Sequence, residues 1–216
     1  MNRHQYKGKD ITVLYDAQRC IHARECVRGA PEVFSPEAKP WVDPDNSEAQ
    51  ALALVIRRCP TGALHYQAGD PKLAERPEPS NTVRTTPDGP LFVRGNISLV
   101  IAEGRQLLSD TRVALCRCGA SRNKPFCDNS HHAAGFAEPG IASPGESAAS
   151  EMATTGKLIV LPTANGPLHL QGQVTIRNAS GEVIFEGIET WLCRCGGSAN
   201  KPFCDGSHQR IGFQAG

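Results

Sequence analysis

The sequence predicts an α+β chain in which a small mixed domain at residues 1–68 precedes two β-rich repeats at 83–136 and 156–216. Three observations predict it. A strand-like run, a cysteine-bearing loop, a helical pattern and a second strand follow one another between residues 11 and 66. From residue 89 onward the chain is written twice at an offset of 77 residues, without a gap. Two stretches unsuited to a packed core, 68–82 and 137–155, separate these parts.

Taken in order, residues 11–15 alternate β-branched and large apolar side chains, which predicts a strand. Ser47 and Gln50 form a capping-box pattern, and Leu52, Val55, Ile56 and Cys59 then recur at helical spacing. Leu64, His65 and Tyr66 predict a closing strand. Residues 68–82 are rich in proline and charge and predict a stiff linker, whereas alanine, serine, glycine and proline at 137–155 predict a flexible connection. In the repeats, Gly89, Gly95, Gly104 and Gly135 match Gly166, Gly172, Gly181 and Gly212. Alternation at Ile97, Leu99 and Ile101, with Val174 and Ile176 in the partner, predicts short strands between those turns. A repeat of about 50 residues buries little apolar area alone and needs a partner or a metal.

Composition narrows the function classes. The chain has 216 residues, a net charge of +1 and 39% hydrophobic side chains, so charge indicates neither nucleic acid nor a membrane surface. The longest apolar run, residues 51–56, is far too short to span a bilayer, and the N-terminus shows no apolar leader. Nine cysteines are an odd number and too sparse for a disulfide scaffold. Metal-bound thiolates in a reducing cytoplasm are the expectation.

Six of the nine lie in a motif present twice, C-R-C-G-x-S-x-N-K-P-F-C-D-x-S-H. The first copy places Cys116, Cys118, Cys127 and His131, and the second Cys193, Cys195, Cys204 and His208. Three thiolates and one imidazole within 16 residues form a four-ligand set for a soft metal centre. Zinc and iron-sulfur both accept such donors. Structural zinc sites usually bring ligands in as C-x2-C or H-x3-H pairs, and a C-x-C pair followed by eight residues suits a zinc knuckle poorly. Asp128 and Asp205, or the serines two residues on, are placed to accept from free amides at the start of a short helix, with His131 and His208 in its first turn. Arg117, Arg194, Lys124 and Lys201 fall near the ligands, and the plainer expectation for each is a solvated surface charge.

These residues resemble the signature of the CDGSH iron-sulfur family, also called NEET proteins, C-x-C-x2-S-x3-P-x-C-D-G-S-H. The second copy matches throughout; the first has Asn129 in place of glycine, the residue best able to substitute where φ is positive. The resemblance implies a [2Fe-2S] cluster in each repeat. Cys116 and Cys118 would hold one iron, with Cys127 and His131 on the other; Cys193 and Cys195, then Cys204 and His208, would do the same. It also implies an interleaved β-rich dimer, here expected as a pseudo-dimer within one chain. One imidazole in place of a thiolate removes a negative charge and should raise the potential part of the way seen with two histidines.

The remaining cysteines, Cys20, Cys26 and Cys59, form C-x5-C and a C-P dipeptide. Residues 8–68 resemble a single-cluster bacterial ferredoxin, of the divergent mono-cluster type found beside CDGSH modules. Ala23 stands where four-cysteine ferredoxins have their second ligand. Three cysteines fit a [3Fe-4S] cluster directly; a [4Fe-4S] cluster needs an outside ligand, solvent or His22, for which an exposed loop position is the plainer reading.

The sequence therefore predicts an iron-sulfur electron-transfer protein, with cluster storage, transfer or redox and pH sensing as the alternative. It contains no convincing nucleophile-base pair, phosphate loop or dinucleotide fingerprint, so an enzyme with its own substrate is not expected. The expected partner is a redox protein or an apo-acceptor protein, with no nucleic acid and no membrane, and the chain is expected to be a monomer.

Overall fold

The computed structural model describes residues 3–101, 104–142 and 156–215. The chain divides into two compact units, Met1–Arg76 and Pro77–Gly216.

The first unit is a three-stranded antiparallel sheet with a helix on it. Strands β1 (His4–Lys7), β2 (Ile11–Tyr15) and β3 (Leu64–Ala68) pair in that order. Between β2 and β3 the chain forms α1 (Glu25–Gly29) and α2 (Ala49–Ile56). Leu52, Ala53, Val55 and Ile56 bury one side of α2 in a core with Ile11, Val13, Phe34 and Val42. The capping box at Ser47 does not form. A 3-10 turn at Pro44–Asn46 leaves Ser47 extended, so Glu48 becomes the N-cap and caps with no side-chain hydrogen bond. Cys59 lies beyond the helix, where its amide closes a turn on Ile56. The start of the expected stiff linker is held against the sheet: the Tyr66 hydroxyl donates to the Leu73 carbonyl at 2.7 Å, and His65 Nδ1 stands 2.8 Å from Glu75.

The second unit contains both repeats. The first half supplies β4 (Thr82–Thr85), β5 (Leu91–Val100) and β6 (Gln106–Leu115), and the second β7 (Leu158–Pro162), β8 (Leu168–Arg177) and β9 (Val183–Leu192). Each half makes antiparallel neighbours of its own three strands. The short strands also cross over: β4 pairs parallel with β8, and β7 parallel with β5. Bulges fall at Gly95 in β5 and at Gly172 in β8, so the two long strands bend at matching points. Val83, Leu91, Val93, Ile97, Leu99 and Leu115 from one half share a single core with Leu158, Leu168, Leu170, Val174 and Ile176 from the other. A 50-residue half could not bury these side chains alone.

Residues 138–142 are tied down, with the Gly140 carbonyl accepting from Thr85 Oγ1 at 2.9 Å and from the Ala179 amide at 2.9 Å. The rest of the expected flexible connection, 143–155, lies outside the described residues. Among the described residues no helix is long and apolar enough to cross a membrane.

Candidate metal centres

In each repeat a long strand runs straight into the C-x-C pair. Strand β6 ends at Leu115 and β9 at Leu192. The following loop folds back so that Phe126 bridges to Leu115, and Phe203 to Leu192. Ser121 and Ser198 close these loops, each hydroxyl donating at 2.7 Å to the carbonyl of Phe126 or Phe203. Two short helices, α3 (Ser130–Ala133) and α4 (Ser207–Arg210), then carry the histidines.

Asp128 Oδ1 accepts from the Ser130 amide at 3.0 Å while its Oδ2 accepts from Arg122; Asp205 does the same with Ser207 and Ala199. Each aspartate thus accepts from the first free amide of its helix, as expected, from the position before the N-caps Asn129 and Gly206, which make no side-chain cap themselves. Asn129 takes φ +69 where Gly206 takes +82, so the one departure from the signature keeps its turn.

The donors come together in twos. Cys116 and Cys118 sulfurs lie 3.6 Å apart, and Cys127 Sγ lies 3.6 Å from His131 Nδ1. In the second copy the distances are 3.7 Å for Cys193 and Cys195 and 3.4 Å for Cys204 and His208. Among the described residues no three His, Cys, Asp or Glu side chains converge as a single ion would require. Donors in pairs are the division that a two-iron core takes.

Backbone amides point at the sulfurs in both copies. Ala120 and Gly197 donate to Cys118 and Cys195 at 3.4 Å, and Asn129 and Gly206 to Cys127 and Cys204 at 3.5 Å. The thiol pair is electrostatically polarised: a hydrogen bond from Cys118 draws Cys116 below its ordinary value, and Cys118 is pushed up in return. Burial pushes Cys127 up to about 11 and holds His131 below the usual imidazole range. Cys127, held protonated by burial beside a neutral imidazole, and Cys116, already drawn toward the thiolate, belong to a set that a cation would complete by displacing the remaining thiol protons. The residues fit an iron-sulfur centre.

The arginines overturn the surface-charge expectation. Arg117 is 1% exposed and Arg194 4%. Arg117 donates to the carbonyls of Gly89, Thr86 and Glu138 and pairs with the Glu138 carboxylate. Arg194 donates to Gly166 at 3.0 Å and Thr163 at 2.6 Å. A guanidinium offers five donors in a fixed fork, which is why it can satisfy several buried carbonyls at once. The lysines also bond inward, Lys124 Nζ to the Ser121 carbonyl and Lys201 Nζ to that of Ser198. The Phe136 ring lies 5.3 Å from Arg117 and 6.0 Å from Lys201 of the other half, while Phe213 lies 5.5 Å from Arg194 and 6.0 Å from Lys124. Nothing in the spacing of those phenylalanines announced this crossing, although their recurrence at the same offset was a signal.

The two C-x-C loops meet. Cys118 and Cys195 form an isolated antiparallel backbone bridge.

In the first unit, Cys20, Cys26 and Cys59 line one cavity of about 240 Å3, together with Tyr15, Trp41 and Ala23. The loop joining the first two turns twice through left-handed conformations, at His22 (φ +54) and Arg24 (φ +66). Such alternation turns successive amides toward one side, an arrangement that favours anions and recurs around iron-sulfur clusters. Cys26 falls in the first turn of α1, and burial raises its thiol. Buried Arg19 donates to the Thr61 carbonyl, tying the Cys20 loop to the turn after Cys59. No motif or spacing in the sequence marks Arg19 for this role. His22 is exposed yet borders the cavity, and Ala23 does also. If three cysteines are the whole ligand set, Ala23→Cys should add one iron and one ligand; iron and sulfide analysis with EPR checks for conversion to a four-iron signal.

Residues 6–69 match the protein family described as divergent 4Fe-4S mono-cluster. Residues 88–132 and 165–209 each match the family described as iron-binding zinc finger CDGSH type. All eleven cysteine and histidine positions described above fall within these matches. A stretch of 62 residues is 39% identical to the uncharacterized protein YjdI of Escherichia coli strain K12, covering 82% of that protein and 29% of this chain. The YjdI protein of Escherichia coli O157:H7 matches to the same extent.

Proposed function

We propose that this protein, which belongs to the iron-binding CDGSH family and carries a divergent 4Fe-4S mono-cluster domain ahead of its two CDGSH repeats, is an electron carrier with three centres. Two are [2Fe-2S] clusters, each held by three cysteines and one histidine. The third is a [3Fe-4S] or [4Fe-4S] cluster on Cys20, Cys26 and Cys59. When bound, such clusters supply reversible one-electron couples.

The chain's own residues suit that task. Amides of Ala120, Asn129, Gly197 and Gly206 donate to ligand sulfurs, and hydrogen bonds of this kind ease the addition of negative charge. Ser121, Ser198, Arg117 and Arg194 fix the loops, so little has to rearrange when the charge changes. The observation that carries the reading is the backbone bridge between Cys118 and Cys195, which brings ligands of two centres onto adjoining backbones. A carrier benefits from such contact; a cluster donor does not need it.

We further read residues 83–136 and 156–216 as an intramolecular pseudo-dimer about an internal two-fold. The parallel pairings of β4 with β8 and β7 with β5, the single shared core and the crossed lysine-phenylalanine contacts support it. In this reading the chain works as a monomer in a reducing cytoplasm, with a redox protein as partner and no substrate of its own.

One observation favours the second reading, cluster transfer or sensing: His208 is less buried than His131 and so more open to protons and acceptors. Anaerobic iron and sulfide analysis with EPR, followed by repeated reduction and oxidation beside an apo-acceptor protein, separates the two. The carrier reading expects about seven or eight irons per chain, all retained through the cycles. Iron appearing in the acceptor on oxidation would overturn it.

A further inference from the structure

The outer face of the second CDGSH half carries a surface that the first half lacks. Directly opposed residues of neighbouring strands share a face of a sheet, so the register aligns Leu161, His169 and Trp191 across β7, β8 and β9. Trp191 is 46% exposed. Its indole stacks on the His169 ring at 4.6 Å and 4°, and His169 Nε2 in turn lies 2.8 Å from Glu189 Oε1. Glu186 is exposed on the same strand.

The repeat provides an internal control. At the same offset the row reads Arg84, Phe92 and Ala114, aligned across β4, β5 and β6. The scaffold needs only the backbone at the last of these positions, because Cys127 donates to the Ala114 carbonyl at 2.9 Å just as Cys204 donates to that of Trp191 at 2.9 Å. The backbone hydrogen bond that holds the ligand loop therefore does not require the indole, although the two positions differ in exposure, Ala114 being buried and Trp191 open to solvent. Tryptophan, with an apolar body and a polar N–H, is enriched at interfaces. Trp191 also stands two residues before Cys193, so a body seated on the indole lies beside two ligands of one centre.

We propose that Trp191, His169 and Glu189 form the docking surface through which the second CDGSH centre exchanges electrons with a redox protein whose cofactor edge is ringed by basic side chains. The inference rests on the carrier reading. Glu186 and Glu189 supply the complementary charge and speed encounter, and the rigid indole supplies the buried anchor. The matching row of the first half presents Arg84, which repels the same partner.

The test uses cytochrome c, a lysine-rimmed haem protein, as the probe. Binding is measured by calorimetry with both proteins oxidised, and electron transfer by stopped flow after reduction. Trp191→Ala should weaken binding and slow cytochrome c reduction about tenfold, and Glu189→Gln should flatten the dependence on salt. Iron content, visible spectrum and oxidation by ferricyanide should stay at wild-type values, since position 191 holds the ligand loop through its backbone carbonyl and its side chain is exposed. Wild-type rates and affinity in Trp191→Ala would overturn the surface, as would a wild-type chain that cycles with ferricyanide but leaves cytochrome c oxidised. A wild-type dimer made monomeric by Trp191→Ala would assign the face to a second copy instead and overturn the proposal. Failure to cycle with ferricyanide at all would bring down the carrier reading itself.

Discussion

His131→Cys and His208→Cys are each expected to lower the midpoint potential of their own centre by on the order of 100 to 300 mV. Four thiolates around two ferric irons and two sulfides leave one more negative charge than three thiolates and a neutral imidazole, so the incoming electron meets more repulsion. The estimate takes about half of the difference that two histidines make. The same variants should lose their clusters more slowly in acid, because iron-bound thiolate resists the proton that imidazole accepts. The two histidines should also differ from one another. Burial holds His131, 6% exposed, below the usual imidazole range. A lowered value keeps the ring neutral, and able to ligate, to lower pH. The second centre's histidine, His208, is less buried, so solvent reaches that centre more readily and it should bleach first in acid. Redox titration by EPR and visible bleaching between pH 7 and pH 5 measure both effects; unchanged midpoints and rates in the cysteine variants would refute histidine ligation.

Gly119→Ala and Gly196→Ala are each expected to be strongly damaging and to empty the centres of both repeats. Gly119 has φ +83 and Gly196 φ +80, which costs a side chain about 1 to 2 kcal/mol. The larger penalty is steric. A Cβ at Gly119 would stand 2.5 Å from the Cys195 carbonyl oxygen, and one at Gly196 2.5 Å from that of Cys118. The obstacle is backbone in both cases, so the two ligand loops must separate. A total of about 3 kcal/mol or more is expected, with iron lost from both centres although only one repeat is altered. Gly135→Ala and Gly212→Ala serve as controls, with φ +60 and +61 but nothing within 4 Å of the new carbon. They should cost only the conformational part, about 1 to 2 kcal/mol. Thermal melts and iron content per chain decide it; full iron retention in Gly196→Ala would show that the loops do not depend on their contact.

Local features were readable because their causes are local. The strand at β2 follows from alternation over five residues, and Asn129 was readable as a turn residue because tolerance of positive φ belongs to the side chain itself. The cap at Ser47 is not legible in the sequence for a complementary reason: whether the helix begins there depends on the preceding 3-10 turn, which is held by Asp43 and by Asn46 bonding to the Glu32 carbonyl. The arginines between paired cysteines looked like surface charges because solvation is the usual fate of an isolated cation. Only the surrounding carbonyls of Gly89, Thr86, Gly166 and Thr163 make burial affordable.

The sequence by itself determined the chemistry: which side chains can ligate, in what spacing, and that two repeats share one design. Ligand identity and loop length are covalent properties and survive in the unfolded chain. Only the tertiary structure decided that β4 and β7 cross between halves, that Cys118 meets Cys195, and that the indole of Trp191 faces outward. Those depend on burying a shared apolar core that neither repeat can complete alone, and no local pattern records the partner that completes it.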